Sequence, residues 1–234
     1  MDNSICTRLQ SIHERMEAAC KRAGRNPEEL LLVAVSKTKP LSDIESANQC
    51  GQLHFGENRA KELQDKMELS DSQDIVWHFV GPMQTNKIKY MVEQVDWIQS
   101  VYKKKYFREI EKRASRIDRT IQTTIQVNIS REDQKQGCRA DELPGLLEYA
   151  QNLEHVRVRG LMGMATYTDN PEDVRSEFSR LKEIFDAHQS FNGGSVHLEH
   201  LSMGMTNDFE VAIEEGATLV RVGRAIFGER DYTD

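Results

Sequence analysis

The chain has 234 residues and a formal net charge of −7, a length that suits one large domain or two small ones. An acidic balance argues against a general nucleic-acid binder, which carries a basic face. No stretch reaches the ~18 apolar residues of a membrane span, and the opening MDNSICTRLQ lacks the basic and then apolar halves of a secretory leader. A cytoplasmic monomer is the expectation. Cys6, Cys20, Cys50 and Cys138 show no C-x-x-C spacing, so four structural thiols are expected and no zinc or redox site.

Helix and strand signals alternate along the chain. Ile5, Leu9, Ile12, Met16 and Ala19 recur at helical spacing, and Gly24 stops the run. Asn26-Pro27 then turns the chain into LLLVAVSK, an apolar run of the kind buried on both faces of a parallel sheet. Further strands are expected at 53–57, 76–81, 97–101, 124–129, 158–164, 198–204 and 218–223. A helix from Lys103 to Arg119 separates the fourth and fifth, with Tyr106, Ile110, Ala114 and Ile117 on one face. Asn170-Pro171-Glu172-Asp173 opens another with a cap, a first-turn proline and acids at the positive dipole end. Eight strands, nearly all separated by helices, predict a single (β/α)8 TIM barrel over 1–234 with an extra N-terminal helix. The competing open doubly wound sheet carries a Gly-rich turn after its first strand. Here that strand ends in Ser36-Lys37-Thr38-Lys39-Pro40.

A barrel works at the C-terminal ends of its strands, so the residues to read are those just past each one. Lys37 closes an otherwise apolar strand. It fits a surface lysine with its stem buried, and it fits a desolvated amine able to attack an aldehyde. Ser202-Met203-Gly204-Met205-Thr206-Asn207-Asp208 follows the seventh strand, with Asn207 and Glu210 at capping-box spacing. Gly223-Arg224-Ala225 follows the eighth and opens a short helix. Each is compatible with an ordinary turn. Together they stand where barrels commonly bind phosphate, on backbone N–H groups and a helix N-terminus. Arg221 alternates with Val220 and Val222, which turns it into the barrel. Buried, it needs a partner: a bound molecule, or an acid such as Glu57 or Glu199. Asn58 follows the second strand and could meet a ligand at the rim. His78 reads as a satisfied core histidine, Lys135 as solvated, and the basic run Lys103 to Arg119 as a solvated helix face.

LLLVAVSKTKP, HFGEN, WHFVGPMQTNK, QVNIS with KQG downstream, RGLMGM, LSMGMTNDFEVAI and VRVGRAIFGERDY together resemble the pyridoxal phosphate homeostasis protein family, from about residue 30 onward. The resemblance implies a fold-type III barrel, like the N-terminal domain of alanine racemase and of eukaryotic ornithine decarboxylase, without the C-terminal β domain. It implies pyridoxal 5′-phosphate (PLP) held as an imine on Lys37, with Arg221 facing the pyridine nitrogen. The phosphate is implied on Ser202, Gly204, Met205 and Thr206 and on Gly223 and Arg224. Family members often read G-M-S-x-D after the seventh strand, and Thr206 keeps that hydroxyl. Many read G-T-A or G-x-A after the eighth, where Arg224 exchanges a hydroxyl for a cation.

Two functions compete on this reading. One is a carrier that buffers PLP or supplies it to PLP-dependent apoenzymes, with no catalytic residue of its own and no metal. The other is an amino-acid racemase or decarboxylase. A racemase needs an acid/base group on each face of the substrate, and only Lys37 stands out, with Tyr102 and Tyr167 as substitutes. Arginine beside the ring nitrogen also makes a weaker electron sink, because it stays charged and cannot accept the ring proton. The carrier is therefore the expectation. A Schiff-base aldolase acting on a sugar phosphate would share the barrel, the lysine and the phosphate loops, and would lack a visible chromophore.

Overall fold

The computed structural model describes residues 3–130 and 136–229. Eight parallel strands close a barrel in chain order, β1 hydrogen-bonding both β2 and β8. They are β1 Leu31–Val35, β2 His54–Glu57, β3 Val76–Phe79, β4 Trp97–Val101, β5 Ile121–Gln126, β6 Val156–Met162, β7 Val196–Ser202 and β8 Leu219–Val222. The helices are α1 Asn3–Ala23, α2 Leu41–Gln49, α3 Ala60–Leu69, α4 Lys104–Ala114, α5 Leu143–Ala150, α6 Arg175–Ala187, α7 Phe209–Glu214 and α8 Arg224–Phe227. Between β3 and β4 a 3-10 helix, Thr85–Tyr90, takes the helix's place. Among the described residues no helix is long and apolar enough to cross a membrane.

The expected eight strands and leading helix are all present, with shifted ends. β5 runs Ile121–Gln126, three residues ahead of the expected 124–129, because Ile121, Gln122 and Thr123 already pair with β6 where the sequence looked polar. The helix expected over 103–119 is α4, followed by a 3-10 turn Ser115–Ile117 and left-handed Asp118. α1 buries Ile5, Leu9, Ile12, Met16, Ala19 and Cys20, worth about 1.5–3 kcal/mol for each large apolar side chain. Arg15 and Arg22 pair with Glu210 and Glu214 of α7, which straps α1 beside the last two βα units.

Cys20 and Cys138 are buried free thiols. Cys6 of α1 and Cys50 after α2 are disulfide-bonded, with Cα atoms 5.6 Å apart. This corrects the expectation of four thiols: helix packing, not sequence spacing, brings the pair together.

Candidate cofactor site

A cavity of about 380 Å³ opens at the C-terminal ends of the strands. Lys37, Asn58, Met205, Thr206, Arg221, Gly223 and Arg224 all line it. Segments up to 187 residues apart in sequence thus converge, since closure puts β8 against β1. Ser202 and Gly204 do not reach the cavity wall. Both are buried and act one layer behind, on Arg221.

Lys37 is half-buried and stands two residues past β1. Its neighbour Thr38 has φ of 65°, the left-handed region, where a β-branched residue is an outlier and strain is of order 1–3 kcal/mol. Beneath this turn lies a buried ion pair: Lys66 Nζ to Glu57 Oε1 at 2.6 Å. Lys66 also donates to Ser36 O at 2.9 Å and Glu62 Oε1 at 2.8 Å, and the Ser36 hydroxyl donates to Glu57 Oε1 at 2.7 Å. Burial pushes the Glu57 carboxyl up, opposed by the Lys66 ammonium and the Ser36 hydroxyl. Lys39 also lines the cavity, and its ammonium donates to Glu229 O at 2.6 Å.

Arg221 points into the barrel, between valines that are fully buried. The acids weighed for it are engaged elsewhere, Glu57 with Lys66 and Glu199 with Arg159. Its guanidinium instead donates to Ser202 Oγ and, at 3.0 Å, to Gly163 O. Desolvation pushes its pKa down to about 10, with Asp208 the opposing charge, so it is still cationic at neutral pH. From Ser202 a hydrogen-bonded chain crosses the barrel interior. Ser202 Oγ donates to Gln99 Oε1 at 2.7 Å, Gln99 Nε2 meets His78 Nδ1 at 2.8 Å, and His78 Nε2 meets His54 Nδ1 at 2.9 Å. His78 is, as read from sequence, a satisfied core histidine stacked on Trp97.

The loops after β7 and β8 are tied together. Gly223 N donates to Thr206 Oγ1 at 3.4 Å, and Arg221 N donates to Gly204 O at 3.0 Å. Gly204 has φ of 91°, and a Cβ there would lie 2.7 Å from Ala212 Cβ, so glycine is required. The cap of α7 is Asp208, not the expected Asn207. Its carboxylate reaches back to accept from Met205 N at 2.6 Å, folding the loop over itself. Burial pushes the Asp208 carboxyl up, the Met205 N–H and Arg221 opposing. α8 begins at Arg224 behind Gly223, as expected, and its first N–H groups have no carbonyl within the helix to bond. The Arg224 side chain is exposed.

Tyr167, weighed from sequence as an acid/base group, also lines the cavity, as do Gln126, Gln136, Met164 and Thr168, which were not singled out by sequence. Gln126 was missed because the displaced β5 put it inside a strand; in fact it ends that strand, at the working face. The Oε1 of Gln126 and the Oδ1 of Asn58 are buried without a partner. An unpaired buried acceptor costs about 1–3 kcal/mol, so a ligand presenting N–H or O–H groups fits this wall. Tyr102 packs edge-on against Tyr106. Lys135 lies outside the described residues. Lys103, Lys104 and Lys105 are exposed, each over a tyrosine ring.

These features define a parallel α/β barrel with a lysine, a buried arginine and the loops after β7 and β8 around one mouth. Residues 7–231 match the family described as alanine racemase, N-terminal domain. A protein of Aquifex aeolicus named pyridoxal phosphate homeostasis protein is 45% identical over 230 residues, covering 98% of this chain and 100% of that one. Its namesake in Escherichia coli K12 is 36% identical over 234 residues, 99% of each chain. The solved structure of PipY from Synechococcus elongatus PCC7942 with PLP bound superposes with a TM-score of 0.82 at 32% identity, over 96% of this chain and 100% of that one. The alanine racemase of Clostridium difficile 630 shares the fold alone, with a TM-score of 0.73 at 11% identity. The chain belongs to the pyridoxal phosphate homeostasis protein family.

Proposed function

We propose that the protein binds PLP as an imine on Lys37 and acts in PLP homeostasis, holding the cofactor and supplying it to PLP-dependent apoenzymes. The observation that carries this reading is the convergence of Lys37, Arg221 and the loops holding Thr206 and Gly223 on one cavity. The chemistry of the donors fits the cofactor. A half-buried amine suits an aldehyde. Backbone N–H groups beside Thr206 and at the start of α8 suit a phosphate. Arg221 suits a pyridine nitrogen as a hydrogen-bond donor, while Asn58 and Gln126 offer acceptors. When bound, the cofactor supplies an electron-withdrawing ring and a reactive carbonyl. PLP in the names of the relatives and in the PipY structure supports the same ligand.

Holding is favoured over turnover by two of the chain's own groups. Arg221 is cationic and cannot take a proton from the ring, so it does not strengthen the electron sink. Tyr167, a cavity-lining candidate for a second acid/base group, is 72% exposed, and its hydroxyl is left to solvent rather than desolvated beside the lysine. The reading includes a monomer, which sedimentation tests, and a cytoplasmic location. Reducing pools there would open the Cys6–Cys50 bond, so the barrel is expected to keep its fold with that pair reduced.

The test is an absorbance spectrum of protein loaded with PLP. Visible imine absorbance that sodium borohydride abolishes, absent from Lys37→Ala, is the expected result. Imine formed by Lys37→Ala at wild-type affinity overturns the assignment of that lysine. Substantial, Lys37-dependent turnover of a common amino acid overturns the carrier reading.

A further inference from the structure

We propose that Lys66 is a positioning residue for Lys37: its buried ammonium holds both neighbours of Lys37 and so fixes the turn that presents the Lys37 amine to the cavity. This rests on the reading of Lys37 as the residue that captures PLP.

Lys66 lies on α3, outside the barrel wall, and is not among the residues lining the cavity. It is only 7% exposed, unusual for a lysine. An ammonium has three protons to donate. Lys66 places them on Ser36 O at 2.9 Å, Glu57 Oε1 at 2.6 Å and Glu62 Oε1 at 2.8 Å. Each acceptor leads to a residue flanking Lys37. Ser36 O belongs to the peptide unit that joins Ser36 to Lys37. Glu57 Oε1 also receives the Ser36 hydroxyl at 2.7 Å. Glu62 Oε1 also receives the backbone N–H of Thr38 at 2.6 Å. One charge therefore grips the chain immediately before and immediately after Lys37.

The grip has something to hold. Thr38 is left-handed at φ 65°, a conformation that a β-branched residue keeps only when its surroundings enforce it. Lys39 N closes the turn onto Ser36 O at 3.0 Å, the same carbonyl that Lys66 takes. Thermodynamic stability alone does not call for this arrangement, because buried ion pairs are often replaceable by apolar residues without loss. An apolar side chain at position 66 cannot bond Ser36 O and Glu62 together, and Thr38 would be released to relax. Lys37 would then leave the orientation in which its amine meets a carbonyl held by the phosphate loops.

The experiment compares two ligands. PLP carries the aldehyde; pyridoxine 5′-phosphate has the same ring and phosphate and cannot form an imine. Wild type, Lys66→Met and Glu62→Ala are titrated with each, and borohydride-trapped adduct on Lys37 is counted by mass spectrometry. The expected result is at least about tenfold weaker PLP binding and slower trapping in both variants, with pyridoxine phosphate affinity within about twofold of wild type. Glu62 is a half-exposed helix residue, so Glu62→Ala decides the question even where Lys66→Met does not fold. Equal losses for the two ligands would show a general structural role and overturn the proposal, as would no loss for either. Wild type that takes up neither ligand overturns the cofactor reading itself, and this proposal with it.

Discussion

One hydroxyl joins Gln99 to Arg221: Ser202 Oγ accepts a proton from the guanidinium and passes its own to Gln99 Oε1 at 2.7 Å. Arginine has no acceptor, so the direction of every later bond in the chain follows from it. Gln99 must turn its amide nitrogen to His78 Nδ1, which makes that atom an acceptor. His78 then carries its proton on Nε2 and donates it to His54 Nδ1. The opposite amide orientation would leave the Ser202 proton without its acceptor.

The tautomer is therefore a prediction. Long-range nitrogen–proton spectra of the histidine rings should show His78 neutral with the proton on Nε2, at neutral pH. Gln99→Leu removes both the acceptor for Ser202 and the donor to His78. It should cost about 1–3 kcal/mol of stability, read from the urea midpoint. A His78 ring protonated on Nδ1 in wild type would contradict this direction of bonding.

How much of this was legible differs between backbone and side chains. Each of the eight strands announced itself as an apolar run between breakers, and Arg221 pointed inward by simple alternation between Val220 and Val222. Lys37 stood out as a charge ending such a run. Partners were harder. Glu57 was weighed as a counter-ion for Arg221, whereas it pairs with Lys66 nine residues along, from a helix that read as merely polar. The buried chain from Arg221 to His54 draws one residue from each of five strands, and no periodicity in a single segment encodes it. β5 was displaced because Gln122 and Thr123 look like loop residues; inside the barrel the hydroxyls of Thr123 and Thr124 bond the carbonyls of Arg157 and Gln99.

Three histidines make the fold less stable as pH falls below 6.5. Burial, first of all, lowers the pKa of His54, His78 and His200 below the ordinary histidine value, His78 farthest. The unfolded chain binds these protons near pH 6.5, and the folded chain binds them only at lower pH. Stability contributed by the neutral rings is therefore full above that pH and is lost as pH falls below it, with about 1.4 kcal/mol per pH unit the ceiling for each histidine. Glu57, Asp96 and Asp208 are raised by burial and have the opposite sign in the carboxylate range. Urea unfolding between pH 7.5 and 5.5 should show the loss, and His200→Gln should flatten the slope by up to one proton. An unchanged or rising stability across that interval would contradict the shifts.

Gly204→Ala separates the loop proposed for the phosphate from the lysine. A methyl group there meets Ala212 Cβ at 2.7 Å and Phe209 Cα at 2.8 Å, on a backbone with φ of 91°. Both contacts lie in or beside α7, so the loop carrying Met205 and Thr206 must move. A loss of about 1–3 kcal/mol in stability is expected from strain and overpacking. Affinity should fall for PLP and pyridoxine phosphate alike, because the phosphate is common to both. A loss confined to PLP would place the phosphate elsewhere.

Arg221→Met tests whether the buried cation serves the ligand or the barrel. The substitution removes a charge that desolvation opposes, and leaves Ser202 Oγ and Gly163 O without their donor. Those losses and the gain from burying an apolar chain have opposite signs, so stability of the ligand-free protein should change little, within about 1–2 kcal/mol. Ligand binding has no such offset. A hydrogen bond from a charged donor to the pyridine nitrogen is worth about 1.5–3 kcal/mol, so PLP affinity should fall about 10- to 100-fold. Lys37 is untouched, and the remaining bound fraction should still be trapped by borohydride on that residue. Wild-type affinity in Arg221→Met would mean that the arginine faces the barrel's own hydroxyls and not the cofactor.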